Sequence, residues 1–498
     1  TNNPPSSAEV PFIHQMISGA TARIRALEKV SSIWTDCCEI CLQSFYNDYV
    51  GLLAFHHKYH SFTSPLRRFP PEVLLEIFSW ILDNLDDHVP QQPLWTLTHI
   101  CHAWRDIIVN NSRFWSHIVV DFDPAHNKSS NDIFNLDRLL TQITRAQKQP
   151  LKIFFHGCEN SSSSAQTNAF ALLGCYSLQW ESLDIGLTST LVPLLPLVSQ
   201  RLPHLRRLSL QWKSHHSQSG VHSINAFRDV SSLIEVNIAN HWDLVWVFFP
   251  YQRLSRYQLD TTWECHTEVL KNAHNLEEAI ISVVYPESET WVSKEKLHLP
   301  ALKRLFISHS QALNTLVIPY LEELVLDIFD DEELQEFENQ VNHFASHGHL
   351  HHLHLIGHIT ADAVVKILEE LSTLVQFGVL LSSDEPTTHL NNIIQSLILD
   401  DTAHSLLAPQ LTKISLGIEE PYIIDYGLYL QMLQSRRTPK HAMLTSTTLV
   451  DGNIDTDISL STLKESFELL RVQGLNIDIL FGNISFMNIV EQWSMKQV

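Results

Sequence analysis

Two cysteines and two histidines carry the only spacing in this chain that suggests a metal. Cys38 and Cys41 are two residues apart, fourteen residues follow, and His56 and His60 are three apart. Zinc takes four such sulfur and nitrogen ligands in a tetrahedron, so Cys38, Cys41, His56 and His60 form a candidate two-Cys, two-His site, with Phe45 and Leu53 near a finger's core positions. Against it, the usual gap between the pairs is about 12 residues, few basic residues lie between them, and an amphipathic helix explains the same residues without metal. A second group, His347, His349, His351, His352 and His354, nearly alternates. Several of its rings are therefore expected on the exposed face of a strand, where metal capture would need help from a carboxylate or a cysteine. The acidic run Asp327, Asp330, Asp331, Glu332, Glu333, Glu336 and Glu338 reads as a solvated helix start, or as a patch that recruits a basic target. The chain has no glycine-rich phosphate loop, no Gly-x-Ser-x-Gly elbow and no His-Glu-x-x-His. No catalytic residue and no cofactor is expected, so function must come from what the chain binds.

Bulk properties narrow the partners. With 498 residues the chain exceeds one ordinary core and is expected to form two to four domains. A hydrophobic content of 44% lets most of it fold. A net charge of -22 disfavours binding to nucleic acid or to an anionic membrane, since both need a cationic face. Seven cysteines scattered at 37, 38, 41, 101, 158, 175 and 265 do not make a disulfide framework. They suit a reducing compartment, cytoplasmic or nuclear. No apolar run approaches the roughly 20 residues that span a bilayer, and the opening residues do not read as a secretory signal.

The elements that position any site follow from periodicity. Residues 1 to about 12 read as a polar tail. From Ile13 to about Tyr59, Ile24, Leu27, Trp34, Cys38, Cys41, Phe45, Leu52 and Phe55 recur at helical spacing and predict one long amphipathic helix, ended by Ser64-Pro65. Ser31 and Asp48 interrupt its seam, which favours packing on the next domain over a coiled coil. Pro70 or Pro71 then sits where a helix should begin, because first-turn N–H groups lack intrahelical partners anyway. Glu72 suits the positive end of that helix. Val73, Leu74, Ile77, Phe78 and Ile81 give it an apolar face. Asp83 to Gln92 reads as an acidic loop. A second helical pattern runs from Leu94 through Leu97, Ile100, Cys101, Trp104, Ile107 and Ile108 to the breaker Asn110-Asn111-Ser112, and Phe114, Trp115 and Ile118 close the segment.

This segment resembles an F-box, a small helical module that docks on the adaptor subunit of a cullin-type ubiquitin ligase. Phe69-Pro70-Pro71-Glu72-Val73-Leu74-Leu75-Glu76-Ile77-Phe78 is similar to the family's opening Leu-Pro-x-Glu-Leu-Leu-x-x-Ile-Phe helix. Ile100, Cys101 and Trp104 stand at its Val-Cys-x-x-Trp segment, and Phe114-Trp115 at its closing Leu-Trp. The resemblance implies adaptor contacts at Phe69, Pro70, Pro71, Glu72, Val73, Leu74, Ile77, Phe78, Ile100, Cys101, Trp104, Phe114 and Trp115. Phe69 replaces the usual Leu, and the Asp83–Gln92 loop is longer than usual.

Beyond residue 120 the chain becomes periodic. The pattern apolar-x-x-apolar-x-apolar occurs as Trp180/Leu183/Ile185, Leu205/Leu208/Leu210, Leu233/Val236/Ile238, Leu254/Tyr257/Leu259, Leu276/Ala279/Ile281, Leu302/Leu305/Ile307, Leu321/Leu324/Leu326, Leu350/Leu353/Leu355, Leu374/Phe377/Val379 and Leu411/Ile414/Leu416, with Val472/Leu475/Ile477 as a last copy. First positions up to Leu374 are 25, 28, 21, 22, 26, 19, 29 and 24 residues apart, near the roughly 20–29 of leucine-rich repeats. The later gaps of 37 and 61 leave room for a loop or for a degenerate copy around Leu444/Leu449. The last two apolar positions of a copy lie two apart and so face one side of a short strand. Such units must stack to bury that side. The bridging Asn or Cys of the standard repeat is absent at its expected place, where Lys213, His241, Thr262, Val284, Ser310, Phe329 and His358 stand, so an irregular, helix-backed solenoid is expected. Helices are expected over Glu332–Phe344 and Asp362–Leu371, and an earlier unit is expected as helix Asp132–Gln147 followed by strand Leu151–Phe155.

The expected architecture is mixed α/β. Residues 1–64 form a disordered tail and a long helix, 65–122 a helical F-box-like domain, and 130–498 an irregular leucine-rich-repeat solenoid with short parallel strands. As a whole the order resembles F-box substrate receptors. That resemblance implies a non-catalytic chain that binds a Skp-family adaptor, and through it a cullin, while the repeats hold an unknown protein substrate. The other reading is a ligase-independent interaction scaffold built on the same solenoid.

Overall fold

The computed structural model describes residues 5–31, 39–83, 92–123, 135–240, 242, 244–284, 296–382, 389–399, 407–418, 424–437, 444–451 and 458–481. They belong to two compact units, one of Thr1–Asp121 with Asn131–Phe154, the other of Phe122–Ser130 with Phe155–Val498. No helix among the described residues is long and apolar enough to cross a membrane.

The first unit opens with two helices, α1 (Glu9–Ser31) and α2 (Glu39–Phe62), where periodicity predicts one. Tyr49 Oη donates to Glu28 Oε1 at 3.1 Å. In a continuous helix these residues would stand about 31 Å apart along the axis, so the helices lie side by side. Ile13, Ala20 and Ile24 are the buried positions of α1. α1 begins inside the predicted polar tail, where the Glu9 carboxylate accepts from Ser6 N and Ser6 Oγ, both at 2.8 Å. Positions 32–38, with Trp34 and Cys38, lie outside the described residues.

A 3-10 turn at Pro65–Arg68 leads into α3 (Pro71–Asp83), and α4 (Gln92–Ile100) and α5 (His102–Val109) follow. The expected acidic loop lies outside the described residues apart from its two ends. The second helical pattern is two helices rather than one, because Cys101 is extended (φ -159°, ψ 168°) and serves as the N-cap of α5. A 3-10 turn at Ser112–Trp115, strand β1 (His117–Asp121), helix α6 (Leu136–Ala146) and strand β2 (Leu151–His156) complete the series, close to the predicted early helix and strand. Asn135 caps α6 by accepting from Arg138 N at 3.0 Å.

The second unit is built on parallel strands that pair in chain order: β3 (Trp180–Leu187), β4 (Arg207–Trp212), β5 (Glu235–Ala239), β6 (Arg256–Thr261), β7 (Glu278–Val283), β8 (Arg304–Ile307), β9 (Glu323–Ile328), β10 (His352–Gly357), β11 (Gln376–Leu381), β12 (Lys413–Ile418), β13 (Ser446–Asp451) and β14 (Asn476–Phe481). Their register sets the predicted apolar positions opposite one another: Leu183 against Leu208, Leu210 against Ile238, Tyr257 against Ala279, Leu305 against Leu324, Leu355 against Val379. Helices Asp331–His347 and Ala361–Glu370 lie where expected. The degenerate copy is present as Leu444/Thr447/Leu449, all three buried. The last copy is displaced by two residues from the predicted one. Ile477 and Ile479 pair with Thr447 and Leu449, and Val472 is 85% exposed.

A bridging asparagine does exist, one residue before the expected place. Asn240 is buried; its Oδ1 accepts from Trp212 Nε1 at 3.1 Å and its Nδ2 donates to Asp260 O at 3.1 Å, linking the C-terminal ends of β4, β5 and β6. Position 309 in the copy that holds β8 and position 451 in the copy that holds β13 are equivalent. His309 Nδ1 lies 3.1 Å from Glu333 Oε1, and Asp451 Oδ2 accepts from Tyr426 Oη at 2.5 Å.

The opposite face of the sheet changes character along the chain. Phe306, Val325, Ile356, Leu380 and Val450 form a buried cluster there, with Ile280 and Leu480 packed against it. One row of this face is a charge ladder across consecutive strands: Arg207, Glu235, Arg256, Glu278, Arg304, Glu323. Successive nitrogen–oxygen distances are 3.3, 3.9, 3.3 and 2.6 Å from Arg207 to Arg304. Each half-exposed pair is worth about 0–1 kcal/mol, but the row adds a register constraint. A slip by two residues would keep apolar side chains on their face, since strand periodicity is two, yet it would break the ladder.

Glu323, at the buried end of the row, has its carboxyl raised to about 7 by burial, with Arg304 opposing and Glu278 reinforcing the shift. The folded state therefore holds a proton that the unfolded chain releases near 4.5, so this residue's contribution to stability falls as pH rises from about 4.5 to about 7. In thermal unfolding, Glu323→Gln should reduce the decline of the midpoint between about pH 5 and about pH 8; the same decline in variant and parent would contradict this.

Candidate functional site

α3 carries two apolar stripes. The Pro70 carbonyl accepts from Val73 N (3.1 Å) and Leu74 N (3.2 Å), which makes Pro70 the residue that opens the helix and leaves Pro71 in its first turn, where no N–H is needed. Leu74, Phe78 and Ile81, at i, i+4 and i+7, form the inner stripe. Leu74 and Phe78 are buried, and the Phe78 ring lies 4.8 Å from that of Trp104 on α5, near edge-to-face. Val73, Ile77 and Trp80 repeat the same spacing one residue earlier and form the outer stripe. Val73 is 42% exposed, Ile77 is half-buried and Trp80 is 70% exposed. Phe69, Pro70, Pro71 and Glu72 are exposed beside it.

The next two helices are tied from within. Leu94 and Thr98 bury one side of α4. Arg105 Nε donates to Thr98 O at 2.8 Å, which satisfies a carbonyl left open by the end of α4. Trp115, fully buried, donates from Nε1 to Ile108 O at 2.8 Å and packs edge-to-face on Trp95 at 5.0 Å. Phe114 is buried as well. Ile100 is 54% exposed, while Cys101 and Trp104 are half-buried.

The residues expected to contact an adaptor thus divide in two. Leu74, Phe78, Phe114 and Trp115 face inward and hold the module together. Phe69, Pro70, Pro71, Glu72, Val73, Ile77, Ile100, Cys101 and Trp104 keep exposed or half-exposed surface. Trp80 belongs with this second set although sequence reasoning missed it; its position seven residues after Val73 was the available signal.

The cysteine and histidine groups are placed as follows. Cys41, His56 and His60 all lie on α2. His56 and His60 are neighbours, with ring centroids 5.8 Å apart, but Cys41 precedes His56 by about 22 Å of helix axis. Cys38 lies outside the described residues, and among those described no group of three or more His, Cys, Asp or Glu is placed to hold a metal ion. In the histidine group, His349 and His351 are exposed as expected, but His354 is fully buried, and burial lowers its imidazole to about 3. Gln376 Nε2 lies 3.1 Å from His354 Nε2, and Gly378 makes room, because a Cβ there would collide with the ring.

The acidic run is less free than expected. Asp330 caps its helix by accepting from Glu333 N at 2.9 Å, and Glu333 Oε2 accepts from Phe329 N at 3.0 Å, a reciprocal arrangement of the capping-box kind. His358 and Lys366 pair with Asp331 and Glu338 at 2.8 and 2.6 Å.

Residues 66–121 match the family model of the F-box-like domain. No curated protein matches the chain. The F-box-like domain so defined runs from the first 3-10 turn through α3, α4 and α5 to the end of β1, and it holds every exposed apolar residue of the outer stripe. F-box domains are in general non-catalytic modules that bind Skp-family adaptors, and this domain presents partly exposed apolar side chains on its helices.

Inner and outer stripes predict different mutational behaviour. Phe78→Ala should cost about 3–5 kcal/mol, the range for emptying a buried aromatic position, and hydrogen exchange should show it as faster exchange throughout α3, α4 and α5. Exchange no faster than in the parent would show that Phe78 does not hold the domain together.

Proposed function

We propose that this chain is a non-catalytic substrate receptor of a cullin-type ubiquitin ligase. Residues 65–122 dock on a Skp-family adaptor and, through it, on a cullin. The repeats within residues 130–498, read here as irregular leucine-rich repeats, hold a protein target. The observation that carries the reading is the outer stripe of Val73, Ile77 and Trp80 within the F-box-like match. A half-buried or exposed apolar row on a helix already packed on its other side gains most from a partner that removes it from water. Copies at intervals of 19 to 29 residues from Trp180 to Leu374, with their strands paired in one parallel register, support the repeat reading.

The receptor makes no bond itself. It raises the local concentration of target lysines near the charged conjugating enzyme, which turns an encounter in solution into one within an assembly. Such work takes place in the cytoplasm or nucleus and needs no cofactor, nucleic acid or membrane.

Val73→Asp combined with Trp80→Glu tests this reading on positions whose exposure spares the fold. Losing two apolar contacts of about 1.5–3 kcal/mol each should weaken adaptor binding at least about a hundredfold, with unchanged circular dichroism. Leu74→Asp is unsuitable, since its buried side chain would unfold α3. Undiminished adaptor binding by the folded double variant would refute the receptor assignment.

A further inference from the structure

The F-box-like match ends at residue 121, yet the same compact unit continues with residues 131–154. Three hydrogen bonds tie that continuation to the last turn of the matched segment. Gln142 Nε2 on α6 donates to His117 O at 2.7 Å, Gln149 Nε2 donates to Ser112 Oγ at 3.2 Å, and Lys152 N donates to Ser116 O at 2.9 Å. The aromatic pair at the centre of the matched segment is also covered from α6. The Arg145 guanidinium lies 4.5 Å from the Trp115 ring centroid and 5.3 Å from that of Trp95, and Arg138 lies 4.8 Å from Trp95. Among the described residues no carboxylate is paired with Arg145, and burial lowers its guanidinium. A cation held over indole faces without a carboxylate takes its stabilisation from the ring quadrupoles. Arginine suits such a place because its plane stacks and its charge is weakly hydrated.

Trp115 also donates to the Ile108 carbonyl in the last turn of α5, and Trp95 lies on α4. Whatever holds the two indoles together therefore sets the angle between α4 and α5, and with it the place of Ile100, Cys101 and Trp104. We infer that residues 135–154 complete the F-box-like domain, with Arg145 on α6 as the residue that positions the α4–α5 face for the adaptor. This rests on the receptor reading for its functional half; the structural half stands apart from it.

The test uses the full chain and the Skp-family adaptor. Adaptor affinity and hydrogen exchange over residues 93–115 are measured for the parent, Arg145→Ala and Arg145→Lys. Arg145→Ala should weaken adaptor binding about tenfold, an effect of about 1.4 kcal/mol, and speed exchange in α4 and α5 while β4 to β13 exchange as before. Arg145→Lys, which keeps the charge and loses the planar stack, should recover part of both. Equal affinity of Arg145→Ala and parent would overturn the positioning role, and unchanged exchange would overturn the extended domain. If the parent itself does not bind the adaptor, the receptor reading and the positioning role both fall, and the exchange comparison still decides whether α6 completes the domain.

Discussion

Burial of Leu74 and Phe78 is the constraint from which the exposed apolar row on α3 follows. An α-helix has about 3.6 residues per turn, so once these side chains are pressed against the rest of the domain the rotation of α3 is settled. Val73, Ile77 and Trp80 must then point away, whatever their hydrophobicity. Trp104 closes over Phe78 on one side, and Trp115 secures α5 by its bond to Ile108. The exposed apolar row is therefore a consequence of the domain's own packing.

The repeats were legible in the chain because parallel in-register stacking asks the same question of every strand. Positions such as Leu208, Val236 and Tyr257 lie opposite one another, so the spacing within one copy is imposed on the next. Where a copy's ends were read from one apolar residue, the reading slipped: Val472 closes a helix, and the strand begins only after the positive-φ Gly474. The asparagine bridge escaped because Asn240 stands seven residues after Leu233, one before the place the standard pattern assigns. The ladder escaped for another reason. Arg207, Glu235 and Arg256 are more than 20 residues apart in sequence, and nothing local marks them as neighbours until register is known.

Within the F-box-like domain, residue types were legible and their directions were not. Both stripes of α3 are apolar, so hydrophobic spacing alone does not say which is buried. That depends on Trp104 and on the buried α4 and α5 positions. Cys101 and the separation of α1 from α2 illustrate a related limit. Helical periodicity continues across a break when the interruption leaves the apolar phase nearly unchanged, and only the packing of Tyr49 against Glu28 separates two helices from one.

One surface thus carries the functional claim, and an exchange footprint addresses it without mutation. Amide exchange of the full chain should be compared with and without saturating Skp-family adaptor. Protection confined to residues 69–81 and 100–104 is the outcome expected of the outer stripe and its neighbours. No protection there, or protection centred on the strands of the second unit instead, would contradict it.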